Sequence, residues 1–127
     1  LKRITKGMGV KSNDPNQPSM VSVEQYAKNL EALVSRMKQT GAKLIFATTT
    51  PYPEGVTPCR LPEDAELYNQ AAAKVMARHH VQVNDLYGEI KPKLQTLQNT
   101  LNVHFNKQGS KFLATRVSAA IDQHLSK

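Results

Sequence analysis

The chain alternates amphipathic helices with short apolar runs, and this alternation restricts the folds that are open to it. Apolar residues recur at three- and four-residue spacing over residues 23–40, which predicts a helix. The short run at 42–48, which is uninterrupted and apolar at 44–47, follows and is typical of a strand buried on both faces. A second helix over residues 62 to about 79 and a second strand at 81–84 repeat the pattern. This order predicts an α/β fold with a parallel sheet.

Local signals mark where the helices begin. Ser22 and Gln25 have the spacing of a capping box ahead of the first helix, and Pro62 stands at the first position of the second. A short helix is expected near residues 90–97. The last helix is predicted to begin after Asn106, with one buried apolar stripe: Phe112, Leu113, Val117, Ala120, Ile121 and Leu125.

Two predicted strands are too few for a stable sheet, because each leaves an edge open. We therefore expect the other strands to come from a segment that precedes Leu1, or the chain to pair with another chain. Residues 1–21 are rich in Gly, Asn and Pro and lack periodicity, so they are predicted to be loop. Residues 22–127 then form the helix-strand-helix-strand-helix core.

Composition narrows the classes of partner. The net charge is +7 with a pI near 9.7, yet the basic residues are scattered, which favours a solvated surface over a nucleic-acid site. No apolar run approaches the roughly 20 residues of a membrane span. Cys59 is the single cysteine and has no partner for a disulfide in the chain. His79 and His80 are adjacent on a predicted helix and diverge by about 100°, so they cannot both face one metal ion there. Cys59 has no CxxC partner and the H-E-x-x-H pattern is absent, so no metal is expected. No other cofactor is predicted.

His104 has the clearest claim to chemistry. It lies in the loop before the last helix, and such a loop reaches the carboxyl edge of a parallel sheet, where α/β folds bind ligands. Imidazole also transfers protons near neutral pH. The alternative is a loop histidine without a chemical role. Asp85 follows the second strand, and we predict that it caps the next turn rather than joining a site.

Four segments have an order and spacing found in one known family. They are Leu1-Lys2-Arg3-Ile4, residues 23–45, the loop Thr48-Thr49-Thr50-Pro51-Tyr52-Pro53-Glu54-Gly55, and Asn84-Asp85-Leu86-Tyr87 followed by Val103-His104-Phe105 and Gly109. Together they resemble the C-terminal half of an SGNH-type (GDSL-like) esterase or acylhydrolase. The resemblance spans nearly the whole chain, so residues 1–127 would be the C-terminal portion of one such domain.

The resemblance implies a three-layer α/β/α sandwich, flavodoxin-like, with about five parallel strands. It implies ester hydrolysis by a serine, with an oxyanion hole completed by a glycine N–H and an asparagine side chain. Those blocks precede this region in the family, and no Gly-Asp-Ser motif occurs here. The implied partners are a small ester, with an O-acetyl sugar as first candidate, and an N-terminal segment that carries the nucleophile. A secreted or periplasmic location is expected by the same analogy.

The resemblance places the catalytic base on His104, whereas the position of the family's acid, three residues earlier, holds Leu101. Asn102 is the candidate orienting group, through its side-chain oxygen, with an ordinary turn asparagine as the alternative. Loss of a triad carboxylate can cost about 10⁴ in rate. The site therefore uses a Ser-His dyad, takes a carboxylate from elsewhere, or is impaired. Three residues are predicted to line the substrate pocket: Thr49, Thr50 and Pro51. The competing function is a non-catalytic binding module for a carbohydrate or polyanion.

Overall fold

The computed structural model describes residues 2–126; Leu1, from the first of the segments compared above, and Lys127 lie outside the described residues. Within residues 2–126, five α-helices, one 3₁₀ turn and two strands follow one another. In chain order they are α1 Val23–Lys38, β1 Ile45–Ala47, α2 Pro62–Arg78, β2 Gln82–Asn84, α3 Leu86–Ile90, the 3₁₀ turn Lys91–Lys93, α4 Leu94–Leu97 and α5 Lys107–Leu125. The predicted order of helices and strands is confirmed.

The two strands are parallel and adjacent, as predicted. Ile45 lies opposite Gln82, and Phe46 lies opposite Val83. The hydrophobic core lies where α1 and α2 cover this sheet. Its buried members are Val34, Val75 and Met76, against which half-buried residues pack: Ala27, Leu30, Leu44, Phe46 and Val81.

Helix α5 covers the opposite face of the sheet. Val81 packs into the core under α1 and α2. The next side chain, Gln82, instead accepts a hydrogen bond on its Oε1 from His124 Nδ1 of α5 at 2.8 Å. Because successive strand residues point to opposite faces, α5 and the α1–α2 pair lie on different sides. Two outer layers of the expected sandwich are therefore visible, and its five-stranded middle layer stays a prediction.

Sequence reasoning overestimated burial at two places. Ala47 of β1 is exposed, and Ile45 is only half-buried, so this strand is not buried on both faces. In α5, Val117, Ile121 and Leu125 are 36%, 43% and 65% exposed, so much of the predicted buried stripe is uncovered. The physical reason is that the two short strands of residues 2–126 present too little surface to cover these side chains.

Helix boundaries follow their local signals with small departures. The Ser22 hydroxyl accepts a hydrogen bond from Gln25 N–H at 3.2 Å, as expected of an N-cap. The Gln25 amide, however, donates to Asn29 Oδ1 at 2.8 Å, so that side chain does not return to close the predicted capping box. The segment predicted as one helix at 90–97 is instead two helices and a 3₁₀ turn that begin at Leu86.

Residues 2–21 form irregular structure attached to the start of α2. Two isolated antiparallel bridges join Arg3 to Ser19 and Ile4 to Lys11. The Arg3 guanidinium donates to Ser19 Oγ at 2.6 Å and to Asp64 Oδ1 at 3.0 Å. The Arg3 and Asp64 side chains are largely buried, so this ion pair holds the N-terminal segment on the body of the domain. Within residues 2–126, no helix is long and apolar enough to cross a membrane.

Candidate active site

The carboxyl ends of β1 and β2 are joined by a polar link between the residues that follow them. Thr48 is buried, and its Oγ1 donates to Asp85 Oδ1 at 3.1 Å while accepting from Tyr87 N–H at 2.8 Å. Asp85 Oδ1 also accepts from Gly88 N–H at 3.1 Å, as the N-cap of α3. The prediction that Asp85 caps the following turn is confirmed, and its carboxylate serves to hold this edge together.

The loop after β1 is attached to α2 by one buried side chain. Asn69 Oδ1 accepts from Thr49 N–H at 2.8 Å, and Asn69 Nδ2 donates to Thr49 O at 2.8 Å. Sequence reasoning missed Asn69. Its signal was a lone polar residue within the helical face that contains Ala65, Ala72 and Met76. This double hydrogen bond sets the backbone path of the predicted substrate loop.

The same loop lies against the segment that carries the histidine. Pro51 is buried, and its carbonyl accepts from Gln98 Nε2 at 3.1 Å. A Cβ built on Gly55 would lie 3.3 Å from Leu101 Cδ2, so these two residues lie close together. Thr50 is half-buried beside them. The structure thus brings together the predicted substrate loop and the His104 loop, whereas contact of the loop residues with substrate stays a prediction.

His104 lies on a short, hairpin-like loop closed by its own backbone. Gln98 and Phe105 form an antiparallel bridge, and Asn99 N–H donates to His104 O at 3.0 Å. Asn102 Oδ1 accepts from the backbone N–H of His104 at 3.0 Å. Asn102 therefore holds the His104 backbone in place, while its predicted role toward the imidazole ring stays a prediction.

The start of α5 anchors the other end of this loop. Asn106 caps the helix by accepting from Gly109 N–H at 2.9 Å. Its backbone N–H donates to Leu97 O at 3.0 Å, and its Nδ2 donates to Thr96 O at 2.8 Å. Gly109 is buried against α4. The His104 loop is thereby held at both ends, at Gln98 and at Asn106, and the His104 side chain lies between these two residues.

Leu101 occupies the position at which the resembled family has its acid. Its backbone is in the left-handed region with φ of +52°, and its side chain is 66% exposed. The His104 side chain is exposed, and within residues 2–126 its ring makes no hydrogen bond and no ion pair. The arrangement offers a solvent-facing imidazole that pairs with no carboxylate of residues 2–126.

The pKa of Tyr52, in the substrate loop, departs from its ordinary value. Burial raises the pKa of this phenol, and the nearby Arg60 guanidinium, 6.0 Å from the ring centroid, acts in the opposite direction. Tyr52 therefore stays protonated and neutral at physiological pH. Within the described residues, no three side chains of the metal-ligating types His, Cys, Asp and Glu come together.

Comparisons with known proteins identify a family, from a family model, and a fold, from solved structures. The model of the GDSL-like Lipase/Acylhydrolase family matches residues 10–112, a range that includes the substrate loop and His104. A crystal structure of the lipase/acylhydrolase from Enterococcus faecalis is 22% identical with a TM-score of 0.71, over 86% of this chain and 55% of that chain.

A second solved structure, an alpha/beta hydrolase enzyme from the metagenome of Lake Arreo, Spain, is also similar. It is 26% identical with a TM-score of 0.62, over 79% of this chain and 47% of that chain. The chain thus spans about half of the length of these two structures. No match is found among the curated proteins.

Proposed function

The chain belongs to the GDSL-like lipase/acylhydrolase family of hydrolases, and from this membership we propose that it contributes the general base to the hydrolysis of a small carboxylic ester. The observation that carries the proposal is the position of His104. His104 is exposed on a loop that hydrogen bonds hold at both ends. This loop lies beside the loop that follows β1 at the carboxyl edge of the sheet. Ligands of open α/β sheets bind at this edge.

In the proposed reaction, the neutral imidazole of His104 accepts the proton of a serine hydroxyl from an upstream segment as that oxygen attacks the ester carbonyl. The tetrahedral intermediate collapses, the imidazolium returns its proton to the leaving alcohol, and an acyl-enzyme remains. Water then repeats the sequence and releases the acid. The fastened loop supports this role, because a general base must be held within hydrogen-bond distance of the group it deprotonates.

The upstream segment is part of the proposal. It would supply the serine, the oxyanion hole and further strands. Two observations support it: the chain spans about half of the two similar structures, and apolar side chains are exposed beside the free edge of β1. On α1, Leu33 and Met37 are 55% and 50% exposed and line an apolar groove with Leu44 and Phe46. An added strand paired with β1 would cover this groove.

The identity of the ester is proposed by analogy with the family and not from the geometry of this chain. An O-acetyl sugar is the first substrate to assay, followed by short-chain aryl esters. The residues proposed to line the substrate pocket are Thr49, Thr50 and Pro51. The backbone of their loop is held in place by hydrogen bonds from Asn69 to Thr49 and from Gln98 to Pro51. A secreted or periplasmic location belongs to the same proposal.

The test uses the protein with its upstream segment and p-nitrophenyl acetate as substrate. His104→Ala should lower kcat by about 10²- to 10⁴-fold, the usual contribution of a general base. The melting temperature should change little, because the His104 side chain is exposed. His80→Asn is the matched control. His80 is also exposed, at the amino end of β2, and its φ of +53° suits asparagine.

Two further variants examine the missing acid. Asn102→Ala should lower kcat less than His104→Ala does, since it removes only the hydrogen bond to the His104 backbone. Leu101→Asp should raise kcat if the new carboxylate reaches the ring. A kcat near that of the wild type in His104→Ala would remove the histidine from the mechanism and leave a non-catalytic binding module as the better account.

A further inference from the structure

Helix α5 and the segment that precedes it border an open cavity. Gln108, Phe112 and Arg116 are spaced four apart, so they lie on one side of the helix. Together with Lys111 and with Lys93 and Leu97 of the preceding segment they line a cavity of about 670 Å³. Neither His104 nor the loop after β1 lines it. Anything bound there would not occupy the proposed catalytic site.

The cavity has an excess of positive charge arranged around one aromatic ring. Lys93 Nζ lies 5.7 Å and Arg116 Cζ 5.0 Å from the centroid of Phe112, which are distances for cation–π contact. Glu89 pairs with Arg116 Nε at 2.5 Å. Within residues 2–126, Lys93 and Lys111 form no ion pair. Two ammonium groups at this cavity therefore lack a counter-charge from the described chain.

We propose that this cavity binds an organic phosphate. Lys93, Lys111 and the Arg116 Nη groups would hold the anion, since Glu89 is bound to Nε alone. The carbon part of the ligand would lie on Phe112 and Leu97, which are half-buried and border the cavity. The anion relieves the repulsion among the three cations, and the apolar wall favours an organic ester over inorganic phosphate.

Two sources can present this chemistry, a soluble phosphate monoester or the headgroup of an anionic lipid. The probes are phenyl phosphate, measured by calorimetry, and vesicles of phosphatidic acid, measured by co-sedimentation, with phosphatidylcholine vesicles as blank. Lys93→Gln and Lys111→Gln should each weaken binding about threefold to fivefold, as expected for one exposed ion pair. Phe112→Leu should bring phenyl phosphate toward the affinity of inorganic phosphate.

The matched control is the double variant Lys28→Gln/Lys74→Gln, which changes the net charge as much as Lys93→Gln/Lys111→Gln does. Lys28 and Lys74 are exposed on α1 and α2, away from the cavity. Binding of phenyl phosphate that is lost only in the cavity variant supports the proposal with a soluble ligand. Binding of phosphatidic acid vesicles alone, with the same loss, supports it with a lipid headgroup. The proposal is overturned if neither probe binds, or if both double variants weaken binding equally. These readouts do not involve ester hydrolysis, so they stand or fall separately from the proposed reaction.

Discussion

Replacing Gly109 by alanine should destabilise the protein, although the position is helical. Gly109 is the third residue of α5 and is buried against the end of α4. A Cβ built there would lie 2.3 Å from Leu97 O and 3.0 Å from Phe105 Cβ. The obstacle at Leu97 is a backbone carbonyl, which cannot move aside as the end of a flexible side chain can.

The size of the effect follows from these contacts. Ordinary contact of a Cβ begins at 3.4 Å, so the first turn of α5 must retreat by about 1 Å from Leu97 O. Asn106 N–H bonds to that same carbonyl at 3.0 Å, and the retreat would weaken the bond. Overpacking costs about 1–3 kcal/mol and a weakened hydrogen bond about 1 kcal/mol, against a gain of about 1 kcal/mol in helix propensity. We expect a net loss of about 1–3 kcal/mol.

The assay is thermal unfolding followed by circular dichroism. At about 4 °C for each kcal/mol in a domain of this size, Gly109→Ala should lower Tm by about 4–12 °C. Ser110→Ala is the control, because Ser110 is the next residue of α5 and is exposed. It should leave Tm nearly unchanged. In the protein with its upstream segment, Gly109→Ala should also lower kcat, because the His104 loop is anchored at this turn. A Tm for Gly109→Ala equal to or above that of the wild type would refute the argument.

Two other predictions concern hydrogen bonds between distant residues. Asn69→Ala should lower the free energy of unfolding, measured by urea titration, by about 2–4 kcal/mol. The reason is that it removes two hydrogen bonds to the Thr49 backbone at a buried position. A loss below about 0.5 kcal/mol would contradict this. Hydrogen bonds from Arg78 and, to a lesser extent, His79 hold the pKa of Glu31 below its ordinary value of 4.5 in the folded protein. The ionised Glu31 carboxylate therefore stabilises the fold above pH 4.5, and this stabilisation is lost as the pH falls through the lowered pKa of the folded state. The Tm difference between wild type and Glu31→Gln should therefore shrink on acidification below pH 4.5, and a difference that is constant with pH would contradict the ion pair's role.

Several features were readable from the sequence because they depend on residues within one helical turn. The N-caps of α1 and α5 were predicted at Ser22 and Asn106, and both side chains accept the expected backbone N–H three residues later. Asp85 likewise caps the turn after β2. Helical periodicity and the short apolar runs predicted the order of elements and the parallel sheet. Such signals act locally, so no knowledge of distant packing was needed.

The tertiary structure alone decided how the site is supported. Asn69 meets Thr49 across 20 residues and Gln98 meets Pro51 across 47, and no local pattern encodes either pairing. The sequence pattern also identified the apolar residues of β1 and α5, but it predicted that more of them are buried than the structure shows. An apolar stripe shows which side of an element avoids water, whereas its burial depends on the elements packed against it. The loop position of His104 followed from sequence, but the hydrogen bonds that hold that loop follow from the packing of α4 against the first turn of α5, where Gly109 leaves room for a backbone carbonyl.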